Sequence, residues 1–387
     1  MGDAQLVFGW RTALLLLLSV QILTLAGALA LQSRNRTANR ILAAFLLVLA
    51  GVMTPYTIGF AGFYDAWMGL TFAPLALPLF LAPLLYGYTH ALVQGRPPVH
   101  WWWHLGPGFA QLTYLSLAFL LPFERKMAWA ERVDGPWVTN IVSLGVSAGL
   151  VSYSLAALGL LRAYRAGLAD QRSDDDRFAA RWLARVLAAM GTATLFWIAW
   201  QAWQVATGRF DYFEFFWLHL AFGVIGLALG VEGWRHAGLR FEPLSIEAPA
   251  PPAERDWAAV GREIERRTRQ AGWWREPALS LPGLARLLGT NTGRVSRAIN
   301  LGLGMNFSAF VNGLRAEGVA EALGERPGAD LLDLAFDMGF ASKASFNRAF
   351  RARFGMAPSQ YRRQASDHDF SPPEPKLRRA DGTPPPV

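Results

Sequence analysis

Before Arg235 the chain carries seven apolar runs, each near the ~20 residues that cross a bilayer as a helix. No other feature constrains the fold as strongly. In lipid, every backbone N–H and C=O has to find its partner within the protein, so spanning segments are helices or closed barrels. Runs this long and this continuously apolar are helices. They lie at about 6–31, 40–62, 67–94, 101–122, 137–161, 182–207 and 212–234. Prolines interrupt three of them: Pro55 in the second, Pro74, Pro78 and Pro83 in the third, and Pro107 in the fourth. Such breaks are tolerated where neighbouring helices satisfy the freed backbone groups, which predicts a packed seven-helix bundle. Trp10, Trp101, Trp102, Trp103, Trp137 and Trp217 fall near predicted ends, as interfacial aromatic belts do.

The first run has an alternative reading as a signal peptide, because Ala28-Leu29-Ala30 looks like a cleavage site. Cleavage would leave six spans and put both ends of the mature chain outside. Seven uncleaved spans put Met1 outside and the C-terminal part inside. Loop charges agree with the second arrangement. The inner loops hold Arg34, Arg36 and Arg40, then Arg96, then Arg162, Arg165, Arg172, Arg177 and Arg181. The outer ones hold Arg125, Lys126, Arg132 and Arg209 beside comparable numbers of acids.

Composition then splits the chain. Of 387 residues, 52% are hydrophobic, mean hydropathy is +0.20, and the formal charge is +8. These averages mix a membrane-like part, up to Trp234, with a soluble-like part after Pro243. Cysteine is absent, which excludes disulfides, thiolate metal ligation and thiol catalysis. The expected organisation is a transmembrane domain over 1–240 and a Pro/Ala-rich linker over 241–253. A soluble all-α domain over 254–365 and a disordered Pro-rich tail over 366–387 follow.

Within the soluble part, Leu331, Leu334, Ala335 and Met338 recur at helical spacing, and Gly339 supplies a left-handed stop. Ser342 is an N-cap for a second helix with Phe346, Ala349, Phe350 and Phe354 as its buried stripe, closed by Gly355 with Pro358 beyond. A helix, a glycine turn and a second amphipathic helix form a helix-turn-helix. From Lys343 to Arg363 there are six cations and no acid. Leu281 to Asn300 repeats the pattern, with Ala285 and Gly289 spaced like Ala335 and Gly339, and Val295 and Ile299 as the second stripe. Asn306 to Gly324 reads as one connecting helix of ~18 residues, ~27 Å long. With the flanking turns, that separates two reading heads by about one DNA turn, ~34 Å. Glu254 to Gln270 is an amphipathic helix, read as the first helix of this domain in preference to a dimerising coiled coil.

The A-x-x-x-G-F of Ala335 to Phe340, the S-x-x-x-F-x-R-x-F of Ser342 to Phe350 and the F-G-M-x-P-x-x-Y-R-R of Phe354 to Arg363 resemble the signature of AraC/XylS transcription regulators of bacteria. The resemblance covers about Ala278 to Arg363 and nothing in the membrane part. It implies a double helix-turn-helix that binds double-stranded DNA. The seven apolar runs and the loop charges, not the resemblance, make the expected protein a multi-pass one of the bacterial inner (cytoplasmic) membrane, with its C-terminal domain in the cytoplasm. Base-contacting positions implied by the resemblance are Gly293, Ser296 and Arg297 in the first head, and Lys343, Ala344, Asn347 and Arg348 in the second. Arg297 and Arg348 suit guanine, and Asn347 suits adenine. Gly293 has no side chain to offer, so the first head is expected to be the weaker reader, with Arg294 serving a phosphate. Arg351, Arg353, Arg362 and Arg363 are expected phosphate contacts that position without specifying.

No catalytic set, cofactor site or phosphate loop is apparent. His100 and His104 have the spacing of two metal ligands but no third partner, and Asp174-Asp175-Asp176 reads as a solvated loop. Inside the spans, Thr194, Trp197, Gln201 and Gln204 share a stripe, with His219 and Glu214 on the last run. Such residues are costly in lipid and mark either a small-molecule pocket or interhelical hydrogen bonds. The reading is a membrane-embedded regulator, with the bundle sensing a signal or anchoring, and with homodimerisation open. Its alternatives are a tether released by proteolysis and a transporter-like or enzymatic bundle with an autoregulatory DNA-binding tail.

Overall fold

The structure is a computed structural model that describes residues 6–174, 178–208, 212–239, 241 and 256–365. The expected linker, apart from Phe241, and the expected disordered tail lie outside the described residues, as do Asp175, Asp176 and Asp211. Among the described residues the chain is all-α, with no strand. It forms two compact units, Met1–Arg162 with Ala180–Pro243, and Ala163–Ala179 with Leu244–Val387.

The first unit holds α1 (Trp10–Ala30), α2 (Arg36–Gly59), α3 (Leu81–Gln94), α4 (Trp101–Phe119), most of α5 (Phe123–Leu168), α6 (Arg181–Thr207) and α7 (Phe215–His236). Five of these, α1, α2, α5, α6 and α7, are long and apolar enough to cross a membrane. The expected third span is broken. Its prolines leave short 3-10 turns at Met68–Leu70 and Pro78–Phe80, and the helix that follows has only 14 residues. That is ~21 Å, short of a ~30 Å hydrocarbon core. The fourth run does form a helix, α4, of 19 residues. Its three leading tryptophans, His104, Pro107 and Gln111 dilute its apolar character. The fifth helix begins earlier than expected and passes Pro136 through a widened π-type segment at Ala130–Val138, which absorbs the lost backbone bond. Lys126, expected in an outer loop, is buried on this helix, where its ammonium donates to the Gly69 carbonyl at 3.0 Å and lies over Phe119.

Glycines on α7 let it pack closely on α1 and α2. A Cβ at Gly226 would lie 2.1 Å from Leu49 Cδ2, one at Gly233 2.3 Å from Leu42 Cδ2, and one at Gly223 2.4 Å from Leu18 Cδ2. The leucine tips occupy the space those side chains would need. Small residues of this kind drive helix association where lipid offers no hydrophobic gain.

The second unit holds α8 (Trp257–Gln270), α9 (Leu281–Leu288), α10 (Thr292–Arg297), α11 (Phe307–Glu325), α12 (Leu331–Asp337), α13 (Lys343–Phe354) and α14 (Pro358–Ala365). Two apolar cores share α11. Its first half gives Phe307, Phe310, Val311 and Leu314 to a core with α8, α9 and α10. Its second half gives Ala316, Val319, Ala322 and Leu323 to a core with α12, α13 and Tyr361. α8 is part of the first core: a Cβ at Gly302 would meet the Trp257 carbonyl at 2.0 Å, and one at Gly261 the Ala298 carbonyl at 2.8 Å.

Candidate nucleic-acid interface

Each helix-turn-helix is fixed by local chemistry. Leu281–Leu288 begins at Ser280, whose hydroxyl accepts from Gly283 N–H, and ends at Gly289 with φ +68°. α10 begins at Asn291, whose side chain accepts from Arg294 N–H at 2.7 Å. In the second copy, Asp330 caps α12 through two backbone donors, and Ser342 caps α13 through Ser345 N–H. Gly339 between them has φ +89°, and a Cβ there would meet the Arg275 carbonyl at 2.2 Å. Both the conformation and the close approach require glycine.

On this frame, Lys343, Ala344 and Arg348 are exposed and Asn347 is half-buried, all in the first turn and a half of α13. Phe346, Phe350 and Phe354 turn inward on the opposite face. In the first head Arg294 is exposed, and Ser296 and Arg297 are half-buried. Ser296 receives a bond from Asn300 at 3.3 Å. Arg297 folds back: its Nε donates to Gly293 C=O and its guanidinium lies 5.3 Å from the Trp257 ring. Arg351 is exposed at the far end of α13. Arg353 is placed differently from a solvent-facing phosphate contact. It is ion-paired with Glu317, its side chain is 14% exposed, and Glu317 also holds Arg269 at 2.7 Å. Glu317 thereby fastens α8, α11 and α13 together. Charge alone could not separate Arg353 from Arg351; their different faces of α13 do.

The candidate pocket residues of the first unit are partly convergent. Trp197 packs edge-on against Phe215, Phe215 stacks with Tyr56, and Tyr56 lies 3.6 Å from the His219 ring. His219 Nδ1 is 2.8 Å from the Phe215 carbonyl. Gln201 instead donates to Ser143 on α5 at 2.7 Å. Gln204 is buried with its Nε2 unpartnered among the described residues, and Glu214 is exposed. His104 lies 2.8 Å from the Tyr153 hydroxyl, and no group of three metal-ligating residues occurs among the described residues.

Two heads on one connecting helix, each presenting a capped, basic second helix, define a DNA-binding unit. Residues 284–364 match the family model described as a helix-turn-helix domain, of AraC type. The match supports a DNA-binding transcription regulator. No curated protein and no solved structure matches the chain.

Proposed function

We propose that the protein is a membrane-embedded, sequence-specific DNA-binding transcription regulator. The observation that carries this reading is the pairing, in one chain, of five membrane-length apolar helices with a double helix-turn-helix. Five crossings and seven have the same parity. Either number puts Met1 outside and the DNA-binding unit in the cytoplasm of a bacterial cell, matching the arginine-rich loops around Arg34 to Arg40 and Arg162 to Arg181. In this reading Lys343, Ala344, Asn347 and Arg348 meet base edges, Ser296 and Arg297 supply the weaker first head, and Arg294 and Arg351 hold phosphates. The Trp197, Phe215, Tyr56 and His219 cluster is the place where a small molecule entering from outside would bind. Gln204, whose Nε2 is buried without a partner among the described residues, lies two turns from Trp197 on the same helix. Catalysis is not part of the proposal, and a homodimer on paired sites is compatible with it.

The test uses the full chain in membranes. Its affinity for duplex DNA falls steeply with salt as bound cations release counterions. Arg348→Ala costs ~1–3 kcal/mol and relaxes preference at one base pair, whereas Arg351→Ala weakens all sequences alike. Equal behaviour of the two variants on selected and random DNA would refute the division into reading and phosphate roles. A reporter fused after Val387 that is active only outside the membrane would refute the topology.

A further inference from the structure

The second unit contains a segment that family resemblance does not cover. Ala163–Ala179, the last turns of α5 and the connection from it towards α6, groups with the DNA-binding helices. Its contacts are mostly with backbone groups that helix ends leave unsatisfied. Ala169 C=O accepts from Ser308 N–H at 2.8 Å, in the first turn of α11. Gln171 C=O accepts from Leu281 N–H at 2.9 Å, at the first residue of α9. Ser173 N–H donates to Leu279 C=O at 3.3 Å, which makes Arg172 and Ser280 an antiparallel bridge pair.

Side chains lock the same segment. Arg315 is 1% exposed, and its guanidinium donates to Trp274 C=O, Glu276 C=O, Asn312 Oδ1 and Ser173 Oγ at 2.6–3.2 Å. Burial lowers its pKa to about 10, opposed by the nearby carboxylates of Asp174 and Glu276. Asn312 Nδ2 donates to Ser173 C=O at 2.9 Å, and Ser173 Oγ donates to Leu279 C=O at 2.8 Å. Asp174, expected in a solvated acidic run, is 4% exposed and paired with Arg172 at 2.8 Å.

We infer that Ala169–Asp174 is a docking segment that completes the DNA-binding unit, and that through it the α5–α6 connection sets how the first head is held on the connecting helix. The segment touches α9 and α11 at once, and these are the first helix of the first head and the spacer between heads. Docked, it supplies acceptors to the starts of both and covers Arg315. Undocked, it leaves a buried guanidinium and two helix starts short of partners, and the spacing that two successive major grooves demand is lost. Its position in the chain, two helices before the linker, gives the bundle a second connection to the DNA-binding unit. The regulatory part rests on the proposed function; the docking itself does not.

The test exploits the absence of cysteine. In the full chain, Arg172→Cys with Ser280→Cys places two thiols at a bridge pair of the non-hydrogen-bonded kind, with Cα atoms ~4.5 Å apart, within disulfide reach. A protease site is added in the linker and the membranes are oxidised. After cutting, the two fragments are expected to stay joined on a non-reducing gel and to separate on reduction. Separation without reduction would overturn the docking. For regulation, the probe is a duplex spanning two major-groove turns, carrying the sequence that the unaltered full chain selects from random DNA. Ser173→Ala, which removes two side-chain hydrogen bonds, and Asn312→Leu, which removes three, are each expected to lower affinity about tenfold or more. The disulfide is expected to restore affinity in the Asn312→Leu chain. Unchanged affinity in both variants, or no restoration, would overturn the regulatory role. Cross-linking in a chain that binds no DNA would instead refute the proposed function and leave the docking standing.

Discussion

The two units solve the problem of helix ends and helix contacts in opposite ways. In the second, a side chain one residue before the helix caps it in six cases: Asp256, Ser280, Asn291, Asn306, Asp330 and Ser342. Among the described helices of the first, none begins with such a bond. Its polar capping runs between helices instead. Asn35 and Asn39 donate to Ala237 C=O, just past the end of α7, and Asn35 also reaches Leu239 C=O. The glycines of α7 differ from two of the second unit in the same sense, although Gly51 of α2 also meets a backbone carbonyl, that of Leu75, at 2.5 Å. On α7 they meet the movable tips of leucines, whereas Gly302 and Gly339 of the second unit meet backbone carbonyls. A seam made with side-chain tips gives a little when loaded, and a seam made with backbone does not.

This contrast can be broken by four substitutions, read as thermal melting of the full chain in detergent. Gly339→Ala is expected to be the most damaging, at ~3 kcal/mol or more, because it combines a left-handed backbone with a carbonyl in the way. Gly226→Ala is expected to cost ~1–3 kcal/mol, the usual penalty for overpacking when a neighbour can turn aside. If Gly226→Ala were the costlier of the two, the distinction between yielding and unyielding seams would fail. Ser342→Ala removes one cap and is expected to cost ~1 kcal/mol, seen as lost protection of the first turn of α13 in hydrogen exchange. The smallest effect belongs to Gly191→Ala on α6, where a Cβ meets nothing within 4 Å. There alanine is expected to stabilise by up to ~1 kcal/mol through helix propensity.

The same contrast explains what was legible in the sequence. Ser342, Gly339, Gly355 and the phenylalanine stripe of α13 are local signals, so the second helix-turn-helix could be read within a residue or two. The connecting helix and the role of α8 were readable from periodicity. In the first unit hydropathy marks where apolar helices lie, but it cannot tell a proline that an intact helix tolerates, as Pro55 in α2, from a pair lying where the helix is interrupted, as Pro74 and Pro78 do. The glycine face of α7 is visible only once α1 and α2 are beside it. In the sequence Arg353 reads as a phosphate contact and Asp174 as part of a solvated run, because the pairing of Arg353 with Glu317 on another helix and the burial of Asp174 beside Arg172 are settled by tertiary packing. For the residues expected to read bases, the positions come from the family resemblance alone, and the structure adds that Arg297 leans on Trp257 while the Arg348 side chain is exposed.

Ser173 and Arg315 are 142 residues apart in the chain, and that separation has a consequence in time. At roughly 5–20 residues per second of synthesis, Arg315 emerges about 7–30 seconds after the segment that covers it. Both α6 and α7 are made in that interval. The nascent chain therefore cannot close its DNA-binding unit before the last apolar helices exist, so chains aborted within the apolar half never carry a finished reader. Contact order, which ordinarily only slows folding, here sets a sequence of events: the apolar helices are synthesised first, and the capacity to grip DNA is completed last.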